Sequence, residues 1–222
     1  MFTDGIRKEF ARLIDHTLLK PDATTAEVEH LCREAIELGV YAVCVNSSMV
    51  ETAVDAIAGS QVKVAATTGF PLGASSSGAK ARETELAVRA GAHEIDTVVQ
   101  IGRLKEHNYQ AVSQDLADVV SAAGSAIVKV IIEACLLTDE EKRMACVLAV
   151  SAGAGFVKTS TGFSKYGATI EDVRLMRVAV GPIVGVKAAG GIRDLRTAVA
   201  MLSAGASRLG LSATAAILAE TR

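Results

Sequence analysis

The segment Ala152-Gly-Ala-Gly-Phe-Val-Lys-Thr-Ser-Thr-Gly-Phe163 joins the end of a predicted helix to a short apolar strand, a lysine and a glycine-containing turn. Its first residues, Ala-Gly-Ala, are typical of a helix that ends on a left-handed glycine before a strand begins. The same three residues recur at 90–92 and 204–206. This recurrence indicates a chain built from repeats of helix, glycine and strand.

Seven glycines share this position between a helix-like segment and an apolar run. They are Gly39, Gly59, Gly91, Gly124, Gly153, Gly181 and Gly205. Together with a first strand, the seven junctions predict eight strands that alternate with helices, which is the pattern of parallel βαβ units. We therefore expect an α/β fold, a single (β/α)8 barrel (TIM barrel) over residues 1–222 with a short leading helix over residues 3–12. The alternative is an open doubly wound sheet, which is weakened because no G-x-G-x-x-G motif follows the first strand.

The predicted strands are short and mostly apolar. They cover residues 13–18, 41–46, 62–67, 94–99 and 126–133, a strand that ends at Lys158, a strand that ends at Lys187, and residues 207–210. Capping boxes at 24–27 and 138–141 mark two helix starts. Further helices are predicted over 79–90 and 109–123.

Composition favours a partner of low molecular weight. The 222 residues are 50% hydrophobic and carry a formal net charge of −2, so no basic surface for nucleic acid or an anionic membrane is expected. The sequence has no apolar stretch of membrane-spanning length and no signal-peptide pattern at its start, and we expect a cytoplasmic protein. The spacing of its four cysteines and four histidines supports neither a metal site nor a disulfide framework.

Two lysines occupy unusual positions. Lys158 ends the strand quoted above, and Lys187 ends the next one, in Ile183-Val-Gly-Val-Lys-Ala-Ala-Gly-Gly-Ile-Arg193. A buried ammonium without a partner is costly, and it tends to lose its proton and become a nucleophile. On neighbouring strands, each lysine would be expected to lower the pKa of the other.

Other charges fall where a buried parallel strand should be apolar. The two-residue period of a strand places them on the inner face of the barrel. The inner-face residues predicted in this way are Asp15, Thr17, Glu94, Asp96, Lys129, Glu133, Lys158 and Lys187. They form either a catalytic centre or a set of paired structural ions, and for Asp15 and Lys129 both interpretations stay open.

Two turns have the composition of a phosphate site. Gly190 and Gly191 follow the seventh strand, and Ser212 follows the eighth. In barrels of this type, the loops after these strands and a helix N-terminus form a recurrent phosphate site. Cys44, in the middle of the second strand, is either a packing residue or part of the site lining.

The sequence resembles the deoxyribose-phosphate aldolase family over essentially its whole length. The matching segments are Ile14-Asp-His-Thr-Leu-Leu-Lys-Pro21, Gly69-Phe-Pro-Leu-Gly73, Glu94-Ile-Asp96, Lys129-Val-Ile-Ile-Glu133, Val157-Lys-Thr-Ser-Thr-Gly-Phe163 and Lys187-Ala-Ala-Gly-Gly-Ile192. The family pattern differs at Gln100, Ala134 and Ala213, where many members have Asn, Thr and Ser.

The resemblance implies a class I aldolase on a (β/α)8 barrel that uses no metal or other cofactor. Its substrate would be 2-deoxy-D-ribose 5-phosphate, and a homo-oligomer, most simply a homodimer, would be expected. By resemblance, Lys158 forms the Schiff base, Lys187 tunes its pKa and exchanges protons, and Asp96 transfers protons. Gly162, Gly190, Gly191 and Ser212 would bind the phosphate, and further residues expected to line the site are Asp15, Thr17, Cys44, Lys129 and Thr159.

Two other functions stay open at this point. One is a different Schiff-base aldolase on the same barrel, such as a transaldolase or a keto-acid aldolase. The other is a phosphosugar-binding protein without catalysis, which would have no need of the lysine pair.

Overall fold

Eight parallel strands close into a barrel in chain order in the computed structural model, which describes residues 3–221. The strands are β1 (Ile14–Leu18), β2 (Ala42–Asn46), β3 (Lys63–Thr68), β4 (Glu94–Val98), β5 (Ile127–Ile131), β6 (Phe156–Lys158), β7 (Gly185–Ala189) and β8 (Arg208–Leu211). Because β1 pairs with both β2 and β8, the sheet has no open edge. The predicted barrel is confirmed and the open sheet is wrong. Two strand ends differ from the prediction by two residues: β5 ends before Glu133, and β7 continues past Lys187 to Ala189.

The helices cover the outside of the barrel. They are α1 (Asp4–Ala11), α2 (Thr25–Leu38), α3 (Val50–Ala56), α4 (Ser77–Arg89), α5 (Ile101–Lys105), α6 (Tyr109–Ala123), α7 (Asp139–Ser151), α8 (Ile170–Val180), α9 (Leu195–Ser203) and α10 (Thr214–Ala219). The leading helix is confirmed as α1, whereas the short helices α5 and α10 were not predicted. Within residues 3–221, no helix is both long enough and apolar enough to cross a membrane.

Local sequence signals set the ends of these elements. Both capping boxes form, with the Thr24 and Thr138 side chains accepting the N–H groups of Glu27 and Glu141 at 3.3 Å. All seven junction glycines have a positive φ, between 58° and 114°. Such angles are available to glycine without a steric cost, which explains why each helix can turn directly into the next strand.

The barrel separates an apolar layer from a charged centre. Outward-facing strand residues such as Val64, Ile95 and Val130 are fully buried against the helices, and each such side chain stabilises the fold by about 1.5–3 kcal/mol. Their neighbours along the strands, Asp96 and Lys129, are also fully buried but face inward, and they pair in register across β4 and β5. Burial of these charges requires that they meet partners inside the barrel.

Candidate active site

Lys158, at the end of β6, and Lys187, in the middle of β7, lie side by side. Lys158 and Lys187 pair in register between β6 and β7, and their exposures are 2% and 0%. Each donates to the same carboxylate oxygen, Oδ2 of Asp96, with an Nζ–O distance of 2.8 Å. A single carboxylate oxygen therefore links both amines.

Further ion pairs extend this contact across the barrel. Lys129 lies 2.7 Å from Oδ1 of Asp96 and 2.6 Å from Oε2 of Glu94. Lys187 also lies 2.5 Å from Oδ2 of Asp15. Six of the seven charges predicted on the inner face thus meet in one buried network, whereas the seventh, Glu133, accepts from Thr161 in the turn after β6.

The number of carboxylate partners differs among the three lysines. Within the described part of the chain, Lys129 has three such partners within 4 Å, Lys187 has two, and Lys158 has only Asp96. Lys158 is also the one of the three that lines the cavity described below. It is therefore both the least restrained and the most accessible amine of the network.

Arg208 on β8 was missed by the sequence analysis. Its Nη1 atom lies 2.8 Å from Oδ1 of Asp15 and 3.4 Å from Oε2 of Glu94, and its guanidinium lies 3.6 Å from the centre of the Tyr41 ring. The signal was available, because Arg208 and Gly210 alternate on β8 as the inner residues of the other strands do. With Arg208, the network has four cationic groups against three carboxylates.

The electrostatics follow from burial and from these partners. Burial would raise the pKa of Asp96, but the three lysines around it outweigh that effect and hold its pKa well below the ordinary value. The pKa of Asp15 is lowered in the same way, against burial, by Lys187 and Lys129. Both carboxylates are therefore ionised at neutral pH.

The expected lowering of the pKa of Lys187 is wrong. Burial acts in that direction, but the carboxylates of Asp15 and Asp96 outweigh it and raise the pKa of Lys187 above its ordinary value. The prediction rested on the neighbouring lysine alone, whereas Lys187 faces two carboxylates. Lys187 is thus a charged ammonium at neutral pH.

Of three other residues expected to line the site, Thr17 lines the cavity described below, whereas Cys44 and Thr159 do not. The Sγ atom of Cys44 lies 3.9 Å from Oδ2 of Asp96, and burial raises its pKa, so that it is a neutral thiol. Thr17 lines the cavity, and its hydroxyl donates to the Asp15 carbonyl at 2.9 Å. Thr159 is fully buried and does not line the cavity, because its hydroxyl joins β6 to the backbone of Ala189 at 3.1 Å.

A cavity of about 290 Å³ opens above Lys158 and is bounded by the turns after β6, β7 and β8. All four residues expected to bind phosphate line it, namely Gly162, Gly190, Gly191 and Ser212. Their backbone N–H groups donate to no group within residues 3–221. The cavity therefore has the amine of Lys158 at its floor and unused hydrogen-bond donors along one wall.

Glycine is required in this wall because two turns approach closely. Gly190 has a φ of 86° and Gly162 one of 88°. A Cβ atom on Gly190 would lie 3.0 Å from the Cα atom of Gly167 and 3.4 Å from that of Gly162. A side chain here would push the two donor turns apart.

The part of the chain that the structure describes has no cluster of three or more His, Cys, Asp and Glu side chains arranged to hold a metal ion.

Residues 10–219 match the sequence profile of the DeoC/LacD family of aldolases. The chain belongs to this family.

Relatives of the DeoC/LacD aldolase agree with this assignment. Proteins named deoxyribose-phosphate aldolase from Coprothermobacter proteolyticus and deoxyribose-phosphate aldolase 1 from Bacillus licheniformis are each 55% identical to it. The first match covers 96% of this chain and 98% of the relative, and the second covers 95% of each. A solved structure from Aeropyrum pernix, described as a tetrameric deoxyribose phosphate aldolase, is 32% identical with a TM-score of 0.89, covering 97% of this chain and 92% of its own.

Proposed function

We propose that this DeoC/LacD aldolase cleaves 2-deoxy-D-ribose 5-phosphate reversibly to D-glyceraldehyde 3-phosphate and acetaldehyde, through a Schiff base on Lys158. The observation that carries the proposal is the position of Lys158 at the cavity floor, with its Nζ atom sharing Oδ2 of Asp96 with Lys187. The names of the two relatives at 55% identity support the substrate.

The lysine supplies the electron sink that carbon–carbon cleavage needs. The uncharged amine of Lys158 attacks the C1 aldehyde of the open-chain sugar, and loss of water gives an iminium ion. When the C3 hydroxyl loses its proton, the C2–C3 bond breaks and its electron pair moves into the iminium to form an enamine. Glyceraldehyde 3-phosphate leaves, and protonation at C2 followed by hydrolysis releases acetaldehyde and restores the amine.

The positions of Asp96 and Lys187 support a role in moving the protons of these steps. Oδ2 of Asp96 lies 2.8 Å from both amines, within the reach of direct or water-mediated proton transfer. Because Asp15 and Asp96 raise its pKa, Lys187 keeps a positive charge beside Lys158 and can donate a proton. We assign Asp96 and Lys187 to proton donation and acceptance.

We assign the phosphate to the cavity wall formed by the turns after β6, β7 and β8. The N–H groups of Gly162, Gly190, Gly191 and Ser212 have no other acceptor within residues 3–221 and suit an anion. Two cationic side chains, Lys20 and Arg193, also line the cavity. Binding energy from this remote group would orient the aldehyde carbon over Lys158.

Self-association and location are the remaining parts of the proposal. A homodimer is the simplest assembly, and the Aeropyrum pernix relative is described as a tetramer; light scattering after gel filtration separates these two from a monomer. All four cysteines are free thiols, in keeping with the reducing conditions of the cytoplasm.

The test is a cleavage assay with three substrates. Release of acetaldehyde from 2-deoxy-D-ribose 5-phosphate, followed with alcohol dehydrogenase and NADH, is expected to be fast. No glyceraldehyde 3-phosphate is expected from fructose 6-phosphate, and no pyruvate is expected from a 2-keto-3-deoxy sugar acid. Lys158→Met abolishes the reaction, and the matched change at an exposed lysine, Lys105→Met, leaves it unchanged. Cleavage of the ketose or keto acid instead would indicate another Schiff-base aldolase, and binding without cleavage would indicate a phosphosugar-binding protein.

A further inference from the structure

Glu133, just beyond the end of β5, has an unusual backbone conformation. Its φ of 51° and ψ of 62° lie in the left-handed region, which a residue with a side chain adopts only at a steric cost. Within residues 3–221, the only other residue besides glycine with a positive φ is His107, at 57° in an exposed turn. A glycine would avoid this cost at position 133, so the Glu133 side chain is expected to have a compensating role.

The Glu133 carboxylate is buried, with 2% of the residue exposed, and it binds the turn after β6. It accepts the Thr161 N–H at 3.3 Å and 3.4 Å and also a short hydrogen bond from the Thr161 hydroxyl. The Thr161 hydroxyl oxygen in turn accepts the N–H of Phe163 at 3.1 Å. Two of the three N–H groups in the Thr161–Phe163 turn are therefore bound on the side of Glu133.

The remaining N–H of this turn belongs to Gly162. It donates to no group within residues 3–221, and Gly162 lines the cavity above Lys158. The Cα atom of Gly162 also lies where it would touch a Cβ atom on Gly190, so the turns after β6 and β7 are in close contact. A change in the Thr161–Phe163 turn would therefore move the N–H groups of both Gly162 and Gly190.

We propose that Glu133 is a positioning residue, whose carboxylate holds the Thr161–Phe163 turn so that the Gly162 N–H is directed at the substrate's phosphate. This inference rests on the proposed function, because it assigns a role to the same cavity. The carboxylate acts through Thr161 and touches neither the substrate nor the reacting carbons. Glu133 is therefore expected to affect only phosphate binding, and its replacement is expected to leave the chemistry at Lys158 intact.

The test compares a phosphorylated and an unphosphorylated substrate. Glu133→Gln keeps the size of the side chain but replaces one acceptor oxygen with an amide donor, which faces the Thr161 N–H. The KM for 2-deoxy-D-ribose 5-phosphate is expected to rise about tenfold, equivalent to about 1.4 kcal/mol, with kcat changed by less than about threefold. For unphosphorylated 2-deoxy-D-ribose, kcat/KM stays within about twofold of the unchanged protein.

Three further variants separate positioning from stability. Glu133→Gly relieves the backbone strain but removes the carboxylate, and it is expected to show the same rise in KM. His107→Gly, the matched change at the other strained position, leaves both substrates unaffected. Thr161→Val raises the KM as well, and the double variant Glu133→Gln/Thr161→Val is no worse than Thr161→Val alone, because both changes break the same contact.

Inorganic phosphate provides a readout that does not require turnover. Calorimetric binding of inorganic phosphate is expected to weaken about tenfold in Glu133→Gln and to be unchanged in His107→Gly. Equal losses with both sugars, or unchanged phosphate affinity, would overturn the role of Glu133. An inactive wild-type protein that still shows the Glu133-dependent loss of phosphate affinity would instead contradict the proposed function and leave the inference standing.

Discussion

A buried ion pair between α4 and α6 makes a sharp prediction about stability. Lys80 and Asp115 both have 0% side-chain exposure, and Nζ of Lys80 lies 2.5 Å from Oδ2 of Asp115 and 2.7 Å from the Val98 carbonyl oxygen. Gln100 donates to the other Asp115 oxygen at 3.2 Å. The methylene groups of Lys80 pack beneath Gly69, in the loop after β3. We expect Lys80→Met to leave the Asp115 carboxylate buried with Gln100 alone.

The size of the effect follows from this burial. Removing one member of a buried pair costs about 3–5 kcal/mol of the free energy of unfolding, which corresponds to a fall in Tm of roughly 6–20 °C for a chain of this length. Burial lowers the pKa of Lys80, and the neighbouring carboxylate of Asp115 offsets this lowering only in part. The pair is therefore not a strong net source of stability. The double variant Lys80→Met/Asp115→Leu is therefore expected to recover most of the loss.

Urea unfolding followed by circular dichroism, with thermal unfolding beside it, measures both effects. The same change at an exposed cation of α4, Arg82→Met, is the matched control; Arg82 pairs with Glu85 at 2.6 Å, but 56% of its side chain is exposed, and the expected change is below about 1 kcal/mol. The reasoning is refuted if Lys80→Met and Arg82→Met cost the same, or if the double variant is less stable than Lys80→Met.

The remaining predictions concern pH, packing and chelation. The pKa values of Asp15 and Asp96 are lowered in the folded state, so their contribution to stability is complete above about pH 4 and is lost as the pH falls further. Urea unfolding between pH 7 and pH 3 measures this loss. A free energy of unfolding that stays level below pH 4 would contradict the prediction. Gly185→Ala would place a Cβ atom 2.1 Å from Cε1 of Phe156 and is expected to cost about 1–3 kcal/mol, whereas Gly78→Ala, which meets no atom within 4 Å, is expected not to destabilise the protein in the same thermal assay. Since the proposed electron sink is an imine, incubation with EDTA followed by the cleavage assay should leave the rate unchanged, and a loss restored by added metal would argue against it.

The barrel could be predicted because its signals are local and repeated. Each junction glycine marks one helix-to-strand turn, and a positive φ at Gly39 or Gly153 is a property of a few neighbouring residues. The inner-face charges were predictable for a similar reason. Side chains alternate between the two faces of a strand, and the apolar neighbours of Asp96 and Lys129 occupy the face that packs against the helices. Asp96 and Lys129 must therefore face the inside of the barrel.

The features that were missed depend on contacts between distant residues. Lys80 and Asp115 lie on helices, where charges are usually exposed, and only the packing of α4 against α6 shows that they are buried. The raised pKa of Lys187 depends on Asp15, which is 172 residues away in the sequence. The left-handed backbone at Glu133 cannot be inferred from a strand pattern that continues through it.

The Schiff base on Lys158 can be detected by borohydride trapping with acetaldehyde, followed by peptide mass spectrometry on the wild type and on Lys158→Arg. We expect a reduced two-carbon adduct on the peptide that contains Lys158, and no adduct in the variant. An adduct on Lys129 or Lys187 in place of Lys158, or no adduct on any lysine, would contradict the assignment of Lys158 as the Schiff-base residue.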